Sequence, residues 1–160
     1  MPVDATAVTQ ITGTVEEANI VYAAGLSEIT GLGNETVVTT ESTLADVTEL
    51  NTLDENSIGT VNAASIESIT GTMSDLLIAY GPTGITGLGN EAISVSDILT
   101  LAASELNSLD LKTDGIVTTS TSLETLTGTV EELNIAYGSS GLSIDGDEAV
   151  IISNETVDAE

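Results

Sequence analysis

Apolar positions along this chain come in short packets, and the packets repeat. Ile11-Thr-Gly-Thr14 returns as Ile69-Thr-Gly-Thr72 and as Leu126-Thr-Gly-Thr129, with steps of 58 and 57 residues. Tyr22, Tyr80 and Tyr137 keep the same two steps. Gly31-Leu-Gly-Asn-Glu35 returns as Gly87-Leu-Gly-Asn-Glu91 and, degraded, as Asp145-Gly-Asp-Glu148. Glu49-Leu-Asn-Thr-Leu-Asp54 returns as Glu105-Leu-Asn-Ser-Leu-Asp110. Independent landmarks therefore agree on a period near 57, with repeats at about 3–60, 61–116 and 117–160 in one domain. Each period holds two related half-units of roughly 25 to 33 residues, within the range of stacked repeat architectures.

Within each half-unit the pattern changes from alternating to helical. Thr14, Thr72 and Thr129 precede helix-like stretches and are followed three residues later by Glu17, Asp75 and Glu132. Thr-x-x-Glu is a capping box, in which each side chain satisfies an orphan amide of the first helical turn, and Asp75 is a weaker version. The predicted helices run to about Tyr22, Tyr80 and Tyr137, where Gly25, Gly81 and Gly138 can end them in a left-handed conformation. Thr43 and Thr100 are the predicted caps of the other half-units' helices. The β-branched stretches 36–40, 92–96, 116–119 and 149–152 read as short strands. Segments 63–69 and 123–126 fit a helical turn or a bent strand equally, since Ile66/Ile69 and Leu123/Leu126 are three apart. Short strands alternating with short helices imply parallel pairing. The predicted fold is α/β, a solenoid-like repeat of short parallel strands and short helices. An all-β solenoid is the alternative, because helices this short are marginal alone.

Composition narrows the function more than it narrows the fold. Of 160 residues, 26 are acidic and one, Lys112, is basic, for a formal charge of −25. Nucleic acid is excluded as a partner, since phosphates need Lys and Arg to displace their counterions, and anionic membrane surfaces are disfavoured. High charge with few aromatics often means disorder, but 41% of residues are hydrophobic and mean hydropathy is +0.28. The apolar set is Ile, Leu, Val and Ala without Phe or Trp, which suits thin regular layers. The absence of Cys and His removes disulfides, thiolate nucleophiles, His bases and the usual zinc and copper sites. The longest apolar run, Leu76 to Tyr80, is too short to span a bilayer, so membrane insertion is not expected. No secretory signal pattern follows Met1-Pro2.

Candidate chemistry is sparse. Glu35, Glu91 and Glu148 share one register, each preceded by Asn34, Asn90 or Asp147. Stacked into a column, they could offer calcium the six to eight oxygens it requires. Asp145, Asp147 and Glu148 form the best calcium candidate, a weak one, and no other cofactor is expected. The competing reading is a turn, with Gly and Asn tolerating positive φ and Glu opening the next strand. No EF-hand or nonapeptide calcium pattern is present, and the turn is favoured. The Gly-x-Gly pairs lack the third glycine of a dinucleotide fingerprint and the Gly-Lys of a phosphate loop. Carboxylates alone can hydrolyse glycosides, yet sugar sites lean on aromatic platforms. The three phase-locked tyrosines read instead as packed rings with outward hydroxyls. Asn34-Glu-Thr36 and Asn154-Glu-Thr156 match a glycosylation sequon and carry no assigned role. Lys112, among Asp110 and Asp114, relieves local repulsion.

The phrases Val-Asn-Ala-Ala-Ser-Ile-Glu-Ser-Ile-Thr-Gly-Thr (61–72), Ile-Thr-Gly-Leu-Gly-Asn-Glu-Ala (85–92) and Leu-Ala-Ala-Ser-Glu-Leu-Asn-Ser-Leu-Asp (101–110) carry a family resemblance. They resemble the acidic, threonine-rich repeats of very large surface proteins in marine cyanobacteria, and similar repeats in virion proteins of the phages that infect them. The resemblance covers nearly the whole chain and carries no catalytic residues. It implies a non-enzymatic structural protein. Met1 just ahead of a repeat boundary, without an export signal, points to the phage side: a protein made in the host cytoplasm that ends on the virion surface as a capsid decoration, knob or fibre component. The alternative is an adhesion module of a cyanobacterial cell-surface protein, located extracellularly and stiffened by calcium. The expected partners are other virion proteins, or further copies docked through the open ends of the stack. Residues 1–12 are the expected contact, because the polar third-repeat end reads as the better capped.

Overall fold

The computed structural model describes residues 1–153 except Leu26 and Ala45, so the second sequon lies outside the described residues. The chain runs through a series of coils, each a set of short strands followed by a helix. The first coil holds β1 (Val3–Asp4), β2 (Gln10–Gly13) and α1 (Val15–Gly25). The second holds β3 (Ile29–Thr30), β4 (Thr36–Thr39), β5 (Thr43–Leu44) and α2 (Val47–Asn56). The third returns to two strands, β6 (Val61–Asn62) and β7 (Ser68–Gly71), before α3 (Met73–Ala79). The fourth again has three, β8 (Ile85–Thr86), β9 (Ala92–Val95) and β10 (Thr100–Ala102), before α4 (Ala103–Asp110). Then come β11 (Val117–Thr118), β12 (Thr125–Gly128) and α5 (Val130–Gly138), and finally β13 (Leu142–Ser143) and β14 (Ala149–Ile152).

Among the described residues every strand pair is parallel. The five helices among the described residues rule out the all-β alternative and establish the α/β class. The 57-residue repeat is thus one short coil plus one long coil, and the long coil's surplus is a third strand. The strands nevertheless pair at an almost constant step. Ile11, Val37, Val61 and Ile85 form one column of partners. Leu44, Ile69, Ile93, Val117 and Leu142 form the next, and Leu101, Leu126 and Val150 a third. Because of the extra strand, β6 pairs with β4, the second strand of the coil before it, and β11 likewise with β9. Each repeat is therefore displaced sideways by one strand, giving sheets ordered β1-β3, β2-β4-β6-β8, β5-β7-β9-β11-β13 and β10-β12-β14.

The core lies between these columns and the inner faces of the helices. Val37, Ile69, Ile93, Val117 and Leu126 fill the strand side. Val15 and Ala18, Leu50 and Leu53, Leu76 and Ala79, Leu106 and Leu109, and Leu133 and Ala136 fill the helix side. Helices of 7 to 11 residues would not persist alone. Burial of each leucine, worth about 1.5–3 kcal/mol, holds them to the sheet. Segments 63–69 and 123–126 resolve as turns leading into β7 and β12, with Ile66, Ile69, Leu123 and Leu126 all buried.

Helix starts follow the predicted chemistry in the short coils. Thr14 and Glu17 form the reciprocal box, with Glu17 N–H donating to Thr14 Oγ1 at 3.1 Å and Thr14 N–H to Glu17 Oε2 at 2.9 Å. Thr129 and Glu132 do the same. At α3 the box is half made: Asp75 N–H reaches Thr72 Oγ1 at 3.2 Å, but Asp75, one methylene shorter than Glu, bonds the Thr72 hydroxyl rather than its amide. The first amides of α1 and α3 are also capped from the next coil, Val15 N–H by Glu41 Oε1 at 2.8 Å and Met73 N–H by Asp97 Oδ2 at 2.6 Å.

Two expectations fail. Thr43 and Thr100 are not caps; they lie in the extra strands, whose leucines Leu44 and Leu101 drop into the core. Asp46 caps α2, accepting from Thr48 N–H at 2.9 Å, and α4 starts at Ala102 without a side-chain cap. Gly25, Gly81 and Gly138 do not take left-handed φ; Gly31, Gly33, Gly87, Gly89 and Gly146 do. The chain reverses at the Gly-Leu-Gly turn, after the helix has ended. Both ends of the described chain are exposed, Val3 and Asp4 of β1 at one and Ala149, Val150, Ile151 and Ile152 of β14 at the other.

Gly59 and Gly115 are equivalent positions where a Cβ would strike the carbonyl oxygens of Glu35 and Glu91, whereas nothing approaches a Cβ at Gly138. Gly115→Ala is expected to cost about 2 kcal/mol by forcing the backbone apart, lowering Tm by roughly 5 °C in a chain this long. Gly138→Ala, at an exposed helix end, should leave Tm unchanged or raise it by about 1–2 °C. Calorimetry of the two variants checks both.

Candidate functional site

The repeated tyrosines and glutamates meet. In the first repeat the Gly31-Leu-Gly33 turn has φ of 86° and 134° at its glycines, and in the second Gly87 and Gly89 take 86° and 135°. That left-handed backbone, open to glycine and strained for other residues, turns the amide of the second glycine back toward the glutamate two residues on. Gly33 N–H donates to Glu35 Oε2 at 2.7 Å. Gly89 N–H lies 2.9 Å from both carboxylate oxygens of Glu91, and Asn90 N–H adds a bond of 3.2 Å. Gly146 N–H donates to Glu148 Oε2 at 2.9 Å.

The helix before the turn supplies the other donor. Tyr22 Oη donates to Glu35 Oε2 at 3.1 Å and lies 3.4 Å from Ser57 Oγ. Tyr80 Oη donates to Glu91 Oε1, and Tyr137 Oη to Glu148 Oε1. The hydroxyls of Tyr22 and Tyr80, read from the sequence as outward-pointing, thus point inward, while that of Tyr137 meets Glu148 at the exposed surface. The glutamates do not merely open strands: Glu35 and Glu91 are 1% exposed. A buried carboxylate is tolerable only when its lone pairs are filled, and each clasp fills them with backbone amides and a phenol. Segments after α2 and α4 close the clasps from above. Thr113 Oγ1 donates to Glu91 O at 2.8 Å, and Asp114 N–H to Gly89 O at 2.7 Å.

These contacts move the ionisation of both partners. Burial pulls Glu35 upward, but Gly33, its own amide, Tyr22 and Asn34 together outweigh it, and the carboxyl sits below its ordinary value. Glu148 is lowered in the same way, burial being outweighed by Tyr137, its own amide and Gly146. Burial, and then the adjacent carboxylate, pushes Tyr80 far up and Tyr137 up to about 12.

The three glutamates do not form a column. They precede β4, β9 and β14, which belong to three different sheets because of the sideways displacement. Among the described residues no group of three or more acidic side chains could hold a metal ion. Asp145 and Asp147 are exposed on the third turn, while Glu148 is engaged by Tyr137 and Gly146. The second glycine amide, which a phosphate would require, is occupied by glutamate in each turn. Lys112 lines a small cavity with Tyr80, Gly87 and Leu88. Sequence reasoning missed a second polar series, a ladder of asparagines between helices. Asn19, Asn51 and Asn107 donate through Nδ2 to Glu49 O, Asp75 O and Glu132 O at 2.9, 3.0 and 3.0 Å. Their common place, five residues after the helix cap, was visible in the sequence. No family model matches the chain, and neither a curated protein nor a solved structure does.

A hydrogen bond to a buried charge is worth about 1.5–3 kcal/mol, so Tyr80→Phe should lower Tm by roughly 5 °C. Tyr137 is 46% exposed, and Tyr137→Phe should cost less than about 1 kcal/mol; urea denaturation distinguishes the two.

The pH profile follows from the shifts. The lowered carboxyls contribute stability in full above the unfolded glutamate value near ~4.3, and it is lost as pH falls through their folded values. The raised phenols contribute in full below about 10, and that is lost as pH rises through their folded values. Tm should be level between those limits and fall on both sides. Phenolate absorbance should stay low in the native protein at pH values where the denatured chain is already ionised.

Proposed function

We propose that this chain is a non-enzymatic structural protein on the surface of a virion that infects marine cyanobacteria, a capsid decoration, knob or fibre component. One observation carries the non-enzymatic part: the chain's most conspicuous polar constellation is consumed by its own fold. Each repeated glutamate is held by amides and a tyrosine, and each of those tyrosines by its glutamate. Catalysis by carboxylates alone needs two acids, tuned apart, facing one cleft. Two grooves run instead along helix edges, lined by Glu16, Asn19, Ile20 and Thr48 or by Val130, Glu131, Asn134 and Ile135. Among the described residues, no helix is long and apolar enough to cross a membrane. The virion part rests on the resemblance of the repeats, and the acidic exterior suits a solvated particle surface. Partners are other virion proteins or further repeats meeting the ends of the stack, and nucleic acid is not among them.

Peptide mass spectrometry on gradient-purified marine cyanophage particles should detect residues 61–72 and 101–110 in one product at capsid-like stoichiometry. Recovery only in a cell-envelope fraction would replace this with the second reading, an adhesion module of a large cyanobacterial surface protein. What favours that reading is the exposed pair Asp145 and Asp147 flanking Gly146. It expects millimolar Ca²⁺ to raise Tm by binding the folded state alone, and Asp147→Asn to abolish the rise.

A further inference from the structure

The helices that follow the three Thr-Gly-Thr phrases match position by position over 15–22, 73–80 and 130–137. Two positions are identical in all three. One is the tyrosine, which the clasp explains. The other is Ile20, Ile78 or Ile135, and it is exposed, by 60%, 51% and 52%. Buried positions meanwhile drift: Val15 is matched by Met73, and Ala18 by Leu76 and Leu133. A single exposed isoleucine needs no explanation. Three in one phase do, because isoleucine is a poorer helix former than alanine, glutamate or lysine and gains nothing from facing water.

The isoleucines lie in a row across the helix layer. Each directly follows the asparagine-ladder position, and the bonds from Asn19 to Glu49 O and from Asn51 to Asp75 O tie α1, α2 and α3 side by side. Thr52 therefore stands between Ile20 and Ile78, and Ser108 holds the same position on α4. Both hydroxyls donate to their own helices, Thr52 Oγ1 to Thr48 O and Ser108 Oγ to Ser104 O, each at 2.8 Å. Between α1 and α2 the row borders a groove of ≈ 360 Å³ lined by Ile20, Ala23, Thr52, Glu16 and Glu49. The second repeat sets Ile78, Ser108 and Glu105 at the corresponding positions. Glu16, Glu49 and Glu105 are exposed, and none of the five described helices carries a base.

We propose that this outer helix face, centred on the α1–α2 groove, is a docking site for a basic amphipathic helix of another protein. Its aliphatic side rests on Ile20 and its Lys or Arg residues meet Glu16 and Glu49. The apolar row selects an aliphatic anchor, and the acids of one sign beside it select the charge. A groove between two packed helices accepts a helix laid along it. A second copy of this chain would bring the same carboxylates to the same face, and like charges oppose that. Because the position recurs with the repeat, a partner carrying two such helices gains by avidity. The inference concerns this face alone and holds for either assembly considered above; particle composition tests that choice separately.

The probe is a helical peptide of about five turns, leucine on one face and lysine on the other, added to full-length protein labelled at its isoleucine methyls. The Ile20 and Ile78 resonances should shift saturably below about 1 mM peptide at about 0.15 M salt. A chain this acidic attracts any polycation, so the control is the same composition scrambled to leave no apolar face, and it should bind about tenfold more weakly. Ile20→Ala with Ile78→Ala should weaken the ordered peptide about tenfold and leave Tm within about 2 °C, since alanine favours the helix. Glu16→Gln with Glu49→Gln should weaken it and flatten its salt dependence. No saturable isoleucine shift with either the lysine or an arginine form overturns the proposal. Equal binding of the scrambled peptide, or indifference to the alanine pair, overturns it in favour of plain charge attraction. A fall in Tm beyond about 4 °C in the alanine pair assigns the isoleucines to the fold and overturns it too. Isoleucine shifts on diluting the protein alone overturn it in favour of a second copy, and shifts on deleting 154–160 in favour of the chain's own tail.

Discussion

A parallel ladder tolerates little variation in the chain between its rungs, and that constraint shapes this molecule. Partnered residues stay about 25 apart, as in Leu44, Ile69, Ile93, Val117 and Leu142, although the coils feeding them have two lengths. The surplus in the long coil cannot be absorbed along a rung, so it becomes an additional strand, β5 or β10. All else follows: the sideways displacement, the division into four sheets, and the placing of helices against whichever strand came last. Small aliphatic side chains suit this arrangement, because each layer is one rung thick and a bulky ring would disturb its neighbours on both sides.

Acidic residues in such a chain cannot be neutralised by counter-charges, since Lys112 is the single base. They serve instead as acceptors for backbone amides that the short elements leave unpaired. Glu17, Asp46 and Glu132 do this at their own helices, Glu41 and Asp97 do it for the helix of the coil before, and the clasp glutamates do it for the glycine turns. Bonds from amides to ionised carboxylates are stronger than neutral ones, and helix starts also favour negative charge. The same residues that set the net charge therefore hold the turns and helix ends in place. Exposed acids such as Glu16, Glu28, Glu55 and Glu131 face water, where mutual repulsion opposes association unless salt screens it.

Much of this was legible. The period, the helices of the short coils, their capping boxes and the four principal strands are local signals, and local signals survive folding. What escaped depends on partners. Thr43 and Thr100 resemble caps because a threonine ahead of an apolar run is ambiguous until the neighbouring strand is known. The hydroxyls of Tyr22 and Tyr80 turn inward because a carboxylate from the following turn awaits them, and nothing in the helix itself announces it. Glu35, Glu91 and Glu148 share a phase along the chain yet belong to different columns, since spacing in sequence does not record lateral displacement. The asparagine ladder was visible as a phase but not as an interaction, because the acceptors are main-chain carbonyls and leave no mark in the sequence.

The displacement by one strand also sets how far any sheet can grow. A column opens as the third strand of a long coil, is carried as the second strand of the next two coils, and closes as the first strand of two more. The sheet β5-β7-β9-β11-β13 runs through that whole course and ends at five strands. Lengthening the array would fill the shorter ladders and add new sheets without carrying any of them past five strands. Open-ended ladders of parallel strands are the architecture of fibrils, and here each ladder carries its own stopping rule, written in the alternation of coil lengths and not in any edge residue.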